Sequence, residues 1–170
     1  MDATVLLRRA AMKWRDQSAV ALGTRTLATF AELDDRAARL ASAFAGRLGL
    51  APGDRIAMAM TNAPTYLEIL FGTWYAGLAA VPMNAKLHAR EFAYILENSG
   101  SRVCFATAEI LDTISGITSE ALDKGSYLAF RLVANKAIHR LAVFEGKDGR
   151  DRLHPQLRCQ LLVFVYVNFD

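Results

Sequence analysis

Cysteine is nearly missing from this 170-residue chain, which holds only Cys104 and Cys159. Two thiols make neither a disulfide framework nor a Cys-only zinc site. Proline (four) and glycine (eleven) are too sparse for a collagenous or low-complexity chain. The histidines, His88, His139 and His154, stand far apart with no partner at ligand spacing, which argues against a metal site. No Ser-His-Asp grouping is visible, and G-x-S-x-G does not occur. Long apolar runs are missing too. Charges interrupt each stretch well short of the ~20 residues a membrane-spanning helix needs, so no membrane span is expected. The N-terminus carries a three-residue apolar patch followed by charges, without the apolar centre of a secretory signal. These absences point to a soluble chain in a reducing, cytoplasmic setting.

What is present is material for a core. Apolar residues make up 53% of the chain and charged residues 22%, a balance that excludes intrinsic disorder. The net charge of +3 is uneven. Residues 1–124 hold 13 Lys/Arg against 13 Asp/Glu, while residues 125–170 hold 7 against 4, so the whole excess lies in the last quarter. That tail has no basic run and no basic–aromatic interleaving, so nucleic acid is not an expected partner.

Periodicity supplies the elements. Residues 4–15 read as an amphipathic helix with Val5, Leu6, Arg9 and Met12 near helical spacing. Two short strands, 19–22 and 26–28, flank a Gly23-Thr24-Arg25 turn and predict a hairpin. Thr29 and Glu32 form a capping box before a helix running to about residue 48. Its inward stripe is Phe30, Leu33, Ala37, Leu40, Ala41 and Phe44, with Glu32, Asp35, Arg36 and Arg39 facing water. Asp34-Asp35 is explained by the dipole of the first turn, and Gly49 is the expected stop. Ala51-Pro52-Gly53-Asp54 is a turn. Then come a strand at 55–60, a buried helix at 64–75, a strand at 78–82, a helix at 89–98 with Phe92, Ile95 and Leu96 inward, and a strand at 102–106. Short apolar strands alternating with helices predict an α/β fold: a small doubly wound, mostly parallel sheet with flanking helices. Beyond residue 107 the pattern weakens. Helical turns at 109–115 and 118–123, a turn at 146–149 and strands at 128–133, 140–144 and 161–167 are the candidates, and the tail reads as irregular. Cys104 reads as a core residue, and Trp74-Tyr75 as packing rather than a substrate cage.

Several of these segments match a known pattern in order. Thr29-x-x-Glu32-Leu33 resembles T-Y/F-x-E-L, and Leu50 to Ala57 (LAPGDRIA) resembles L-x-P-G-D-R-V-A. Gly72, Ala76, Gly77, Ala80, Val81 and Pro82 resemble F-G-x-x-x-A-G-x-x-x-V-P. Asn84-Ala85-Lys86-Leu87 resembles N-P-R-L, with Ala85 in place of the proline, and Glu91 to Ser99 resembles E-L-x-Y-I-L-x-x-S. Together they resemble the N-terminal part of the adenylate-forming enzymes: acyl-CoA synthetases, luciferases and peptide-synthetase adenylation domains.

The resemblance implies a chemistry. Members activate a carboxylate with ATP and Mg²⁺, release pyrophosphate, and pass the acyl group from AMP to a thiol, usually that of CoA. It implies one site residue, Lys86, standing where the basic residue of N-P-R-L lies near a CoA phosphate in some ligases; no catalytic residue and no metal ligand are carried over. The family's phosphate loop, close to S-G-T-T-G-x-P-K-G, is expected at about residues 150–180 and does not occur; Gly146-Lys147-Asp148-Gly149 lacks its hydroxyls and glycine spacing. The expected organisation is therefore an N-terminal helix (1–16), a partial N-terminal subdomain (17–124) and a non-family tail (125–170), as a truncated or frameshifted gene would give, with a natural short relative carrying a new tail as the alternative. The leading expectation is a fragment of an acyl-CoA synthetase that binds no cofactor and is inactive alone. The rival is a non-catalytic α/β interaction module, or half of a split enzyme, self-associating through an uncovered interface. A free-standing nucleotide binder is disfavoured by the missing loop. The acyl substrate is left open.

Overall fold

The longest helix opens as the sequence predicts. The Thr29 hydroxyl accepts from the backbone N–H of Glu32 at 3.3 Å, and the Glu32 carboxylate accepts from the N–H of Thr29 at 2.7 Å. Two otherwise orphaned donors are thereby satisfied. The computed structural model describes residues 3–107, 109, 110, 113, 114, 128–132, 143 and 144. The chain divides into two compact units, Met1–Gly53 with Asn62–Ala79, and Asp54–Thr61 with Ala80–Asp170.

The first unit comprises α1 (Ala3–Lys13), the hairpin β1 (Ser18–Leu22) and β2 (Arg25–Thr29), α2 (Phe30–Gly46) and α3 (Thr65–Tyr75). The hairpin loop is tighter than expected. Leu22 pairs with Arg25, leaving Gly23-Thr24 as the turn, and Gly23 takes the positive φ (61°) that such a turn needs. Leu7, Val20, Ala28, Leu33 and Ala37 form the core here, with Phe30, Phe71 and Tyr75 packed against it. The α2 stripe is as read, with Leu33, Ala37, Leu40 and Phe44 buried. Helix α2 stops at Gly46 rather than at residue 48; Gly49 (φ 60°) then turns the chain so that the N–H of Leu50 reaches the Phe44 carbonyl at 3.0 Å.

Three expectations in this unit are corrected. The near-helical spacing of Val5, Leu6, Arg9 and Met12 does not mark the buried side of α1, which leaves Val5, Leu6 and Met12 exposed and buries Thr4, Leu7, Ala10 and Ala11. Those four follow the i, i+3, i+4 spacing of one face, and two alanines let the helix approach closely. Arg36 does not simply face water. It pairs at 2.9 Å with Glu68 of α3, whose side chain is only 4% exposed. Asp34 lies beyond the first turn, where Glu32 is the acid, and accepts a hydrogen bond from the Tyr75 hydroxyl, while Asp35 pairs with Arg39.

The second unit holds the sheet. Strands β3 (Arg55–Ala59), β4 (Ala79–Met83), β5 (Val103–Thr107), β6 (Leu128–Leu132) and β7 (Val143–Phe144) lie in the order β4-β3-β5-β6-β7. β3 runs parallel to β5, and β5 parallel to β6, with Ile56 opposite Val103 and Val103 opposite Leu128; β7 is antiparallel to β6. This is the α/β, mostly parallel arrangement that the alternation predicts. Ala57, Ala59, Cys104 and Ala106 face a core completed by Met83 and by Phe92 and Leu96 of α4 (Ala89–Ser99). Gly100 ends α4 in the left-handed conformation. Arg55 reinforces that end, donating through Nε to the Ser99 carbonyl (2.8 Å) and through Nη2 to that of Gly100 (2.7 Å). Of the candidates beyond residue 107, β6 and β7 correspond to two. The expected helix at 118–123, turn at 146–149 and strand at 161–167 lie outside the described residues. Among the described residues no helix is long and apolar enough to cross a membrane.

Candidate functional site

Lys86, the one site residue implied by the sequence, stands on the short connection between β4 and α4. The local chemistry explains how it is held. The Asn84 side-chain oxygen accepts from the N–H of Lys86 at 2.9 Å, and the Asn84 carbonyl accepts from the N–H of Leu87 at 3.2 Å. An Asx turn of this kind fixes the backbone without needing a proline. Ala85 and Leu87 pack against the core of the sheet, while Lys86 between them is exposed. The loop thus presents one ammonium to solvent from an anchored backbone. Among the described residues no carboxylate pairs with it.

The next residues close the helix behind that loop. His88 accepts from the N–H of Arg90 through Nδ1 at 3.3 Å, and the Glu91 carboxylate accepts from the N–H of His88 at 2.7 Å. Sequence reading noted His88 only as an isolated histidine. The H-x-x-E spacing, analogous to the S/T-x-x-E box, was the signal that could have shown its capping role. With those donors occupied, the first turn of α4 adds little to anion binding, and Lys86 acts as a point charge.

A second set of polar groups sits at the carboxyl ends of β3 and β5. The Thr61 N–H lies 3.4 Å from the Thr107 hydroxyl, and the Thr61 hydroxyl donates to the Glu109 carboxylate at 3.1 Å. The Glu109 carboxyl is held below its ordinary range, first by its own backbone N–H and then by Thr107 and Thr61. These three residues satisfy one another and tie the two strand ends together.

The remaining sequence candidates are structural. Cys104 is 3% exposed, and burial pushes its thiol up to about 12, partly opposed by the backbone at Ala59. It is an inert core residue. Trp74 packs edge-to-face on Phe71 with ring centroids 5.4 Å apart, and Tyr75 carries the Arg8 guanidinium over its ring at 4.8 Å, so neither forms a cage. No group of three or more His, Cys, Asp or Glu among the described residues is placed to hold a metal ion.

Comparison with known proteins extends these observations. A family profile described as AMP-binding enzyme matches residues 7–151. The chain is 39% identical over 97 residues to a feruloyl-CoA synthase of Amycolatopsis sp, covering 57% of this chain and 20% of that protein. It is 34% identical over 122 residues to a long-chain-fatty-acid–CoA ligase of Mycobacterium tuberculosis, covering 72% and 24%. Among solved structures, a benzoate CoA ligase from Burkholderia xenovorans superposes with a TM-score of 0.67 at 25% identity, covering 77% of this chain and 26% of that one. The N-terminal domain of FACL13 from Mycobacterium tuberculosis superposes with a TM-score of 0.66 at 30% identity, covering 71% and 31%. The chain spans between 20% and 24% of the length of the two curated relatives named here.

Proposed function

The chain belongs to the AMP-binding enzyme family, and on that premise we propose that it carries the N-terminal portion of an ATP-dependent carboxylate–CoA ligase and is inactive by itself. The observation that carries this reading is the relation just given: similarity to ligases that form CoA thioesters, over a fifth to a quarter of their length. In a complete enzyme of this class ATP and Mg²⁺ supply carboxylate activation and CoA supplies the accepting thiol. The residues present fit one part of that set. Lys86 fits a phosphate of CoA as an exposed, backbone-anchored point charge.

The residues do not fit the phosphates of ATP. A transferring phosphoryl centre needs preorganised donors and cations around the developing charge, and that electrostatic term dominates such catalysis. The sequence has no Gly/Ser/Thr-rich loop ending in Lys. Proximity cannot substitute, because it requires both reactants to be bound.

Pyrophosphate release tests the reading, using the purified chain with ATP, Mg²⁺, CoA and a panel of aliphatic and aromatic carboxylates. No acyl-dependent release is expected; turnover would overturn the claim of inactivity. The role of Lys86 is tested separately by grafting residues 17–107 into the Amycolatopsis feruloyl-CoA synthase in place of the matching segment. Lys86→Gln in that hybrid raises KM for CoA and leaves KM for ATP unchanged; equal effects on both would remove Lys86 from the CoA site.

A further inference from the structure

Helix α1 is inverted in an informative way. Its buried face is made of small groups, Thr4, Ala10 and Ala11, with one leucine, Leu7. Its larger apolar side chains point outward: Leu6 is 54% exposed, Met12 77%, and Trp14 just past the helix 44%. Val5 joins them at the edge of exposure. Val5, Arg9 and Met12 follow i, i+4, i+7 and share one outer face, flanked by Leu6 and Lys13. The helix contains no acid, and it carries Arg8, Arg9 and Lys13. Lys13 stands over the Trp14 ring at 4.9 Å.

The helix is not free to roll this face inward. Leu7 belongs to the core of the first unit, and the Arg8 guanidinium sits 4.8 Å above the ring of Tyr75, itself hydrogen-bonded to Asp34. The outer face is therefore a fixed surface in which apolar chains and cations interleave.

We propose that this face of α1 docks on the surface of an anionic lipid bilayer, the helix lying in the interfacial plane. The chemistry fits on three counts. Leu6, Met12 and Val5 supply the apolar insertion, Arg9 and Lys13 have long stems that keep their charges at headgroup level, and Trp14 has the amphipathic ring favoured there. A second copy of the chain fits worse. Apposing two such faces about a two-fold axis brings Arg9 of one copy against Arg9 of the other, and an eleven-residue helix offers far less than the ~1,000 Å² that a specific protein interface buries. The docking is weak, reversible and sensitive to salt, because it rests on a few cations and a few apolar groups. It does not depend on the ligase reading.

The test is co-sedimentation of the full chain with extruded vesicles of phosphatidylcholine alone and of phosphatidylcholine with phosphatidylglycerol. Binding to the anionic vesicles is expected, with a blue shift of tryptophan emission that Trp14→Phe abolishes. The double variant Arg9→Gln/Lys13→Gln should weaken binding about tenfold at low salt. Leu6→Ser/Met12→Ser should weaken it as well, with an unchanged urea midpoint showing that the fold is intact. Arg39→Gln/Arg90→Gln removes the same net charge elsewhere and should leave binding near that of the parent chain. Equal loss in both charge variants, equal binding to neutral vesicles, or no binding to either vesicle overturns the proposal. So does a concentration-dependent dimer that Leu6→Ser/Met12→Ser dissolves.

Discussion

Arg36 of α2 and Glu68 of α3 form an ion pair at 2.9 Å in which the carboxylate is almost wholly buried and the guanidinium largely so. Such a pair gains little over apolar packing, since both charges give up hydration, but breaking it from one side strands the other. Arg36→Ala should therefore destabilise the chain by about 3 kcal/mol. Arg36→Met/Glu68→Leu, which removes both charges, should recover most of that loss. Urea midpoints read both, and a double variant as unstable as Arg36→Ala would contradict the account.

Gly72 allows α2 and α3 to approach. A Cβ there would stand 2.8 Å from the Leu40 Cβ and 3.3 Å from the Ala37 carbonyl oxygen. Gly72→Ala should cost about 1–3 kcal/mol through overpacking, outweighing the ~1 kcal/mol that alanine gains over glycine in a helix. Leu40→Ala keeps the offending Cβ, so combining the two should not rescue stability. A double-mutant cycle with strong recovery would show that the clash lies elsewhere.

The capping box makes a smaller, local claim. Thr29→Ala removes the acceptor for the Glu32 N–H and should cost about 1 kcal/mol. The Glu32 carboxyl is held below its ordinary value of 4.5, chiefly by the backbone N–H of Thr29. A depressed carboxyl contributes stability that is fully present above its ordinary value and is lost as pH falls below that value and through the lowered folded-state one. The acid limb of a stability–pH curve should thus flatten in Glu32→Gln, and an unchanged acid limb would count against the box.

Alkaline behaviour has the opposite sign. Burial raises the Cys104 thiol from an ordinary 9.0 to about 12, and burial together with Asp34 raises the Tyr75 hydroxyl. A raised acid is neutral in the folded chain while its unfolded counterpart ionises, so stability is intact below pH 9.0 and falls as pH climbs toward about 12. Cys104→Ala and Tyr75→Phe should each reduce that fall. In a Cys159→Ser background, iodoacetamide at pH 8 should modify Cys104 only through unfolding, and rapid labelling without denaturant would refute its burial.

The sheet was legible because its signals are local and redundant. RIAMA and VCFAT are mostly apolar runs of strand length, preceded by Pro52-Gly53 and by Asn98-Ser99-Gly100, and nothing competes with that reading. The face of α1 was not legible. Counting large apolar residues favours Val5, Leu6 and Met12, whereas the buried face is chosen by close approach, which alanine permits and methionine does not. Arg36 and Glu68 escaped for a different reason: a pairing between residues 32 apart leaves no periodic trace. The candidate site was legible only as the residue Lys86. The Asn84 turn that holds it needed the structure to be seen, whereas the His88 cap was present in the sequence as an unread H-x-x-E spacing.

The sheet order has a consequence for synthesis. β3 lies between β4 and β5, and both neighbours follow it in the chain. As the polypeptide leaves the ribosome, an apolar strand that ends buried on every residue from Ile56 to Ala59 must wait for residues 79–83 to emerge on one side, and keeps its other edge unpaired until residues 103–107 have emerged. Parallel pairing across such a separation closes slowly and leaves a strand edge open to neighbouring nascent chains. The stretch most firmly fixed in the finished sheet is thus also the one most vulnerable while the chain is being made.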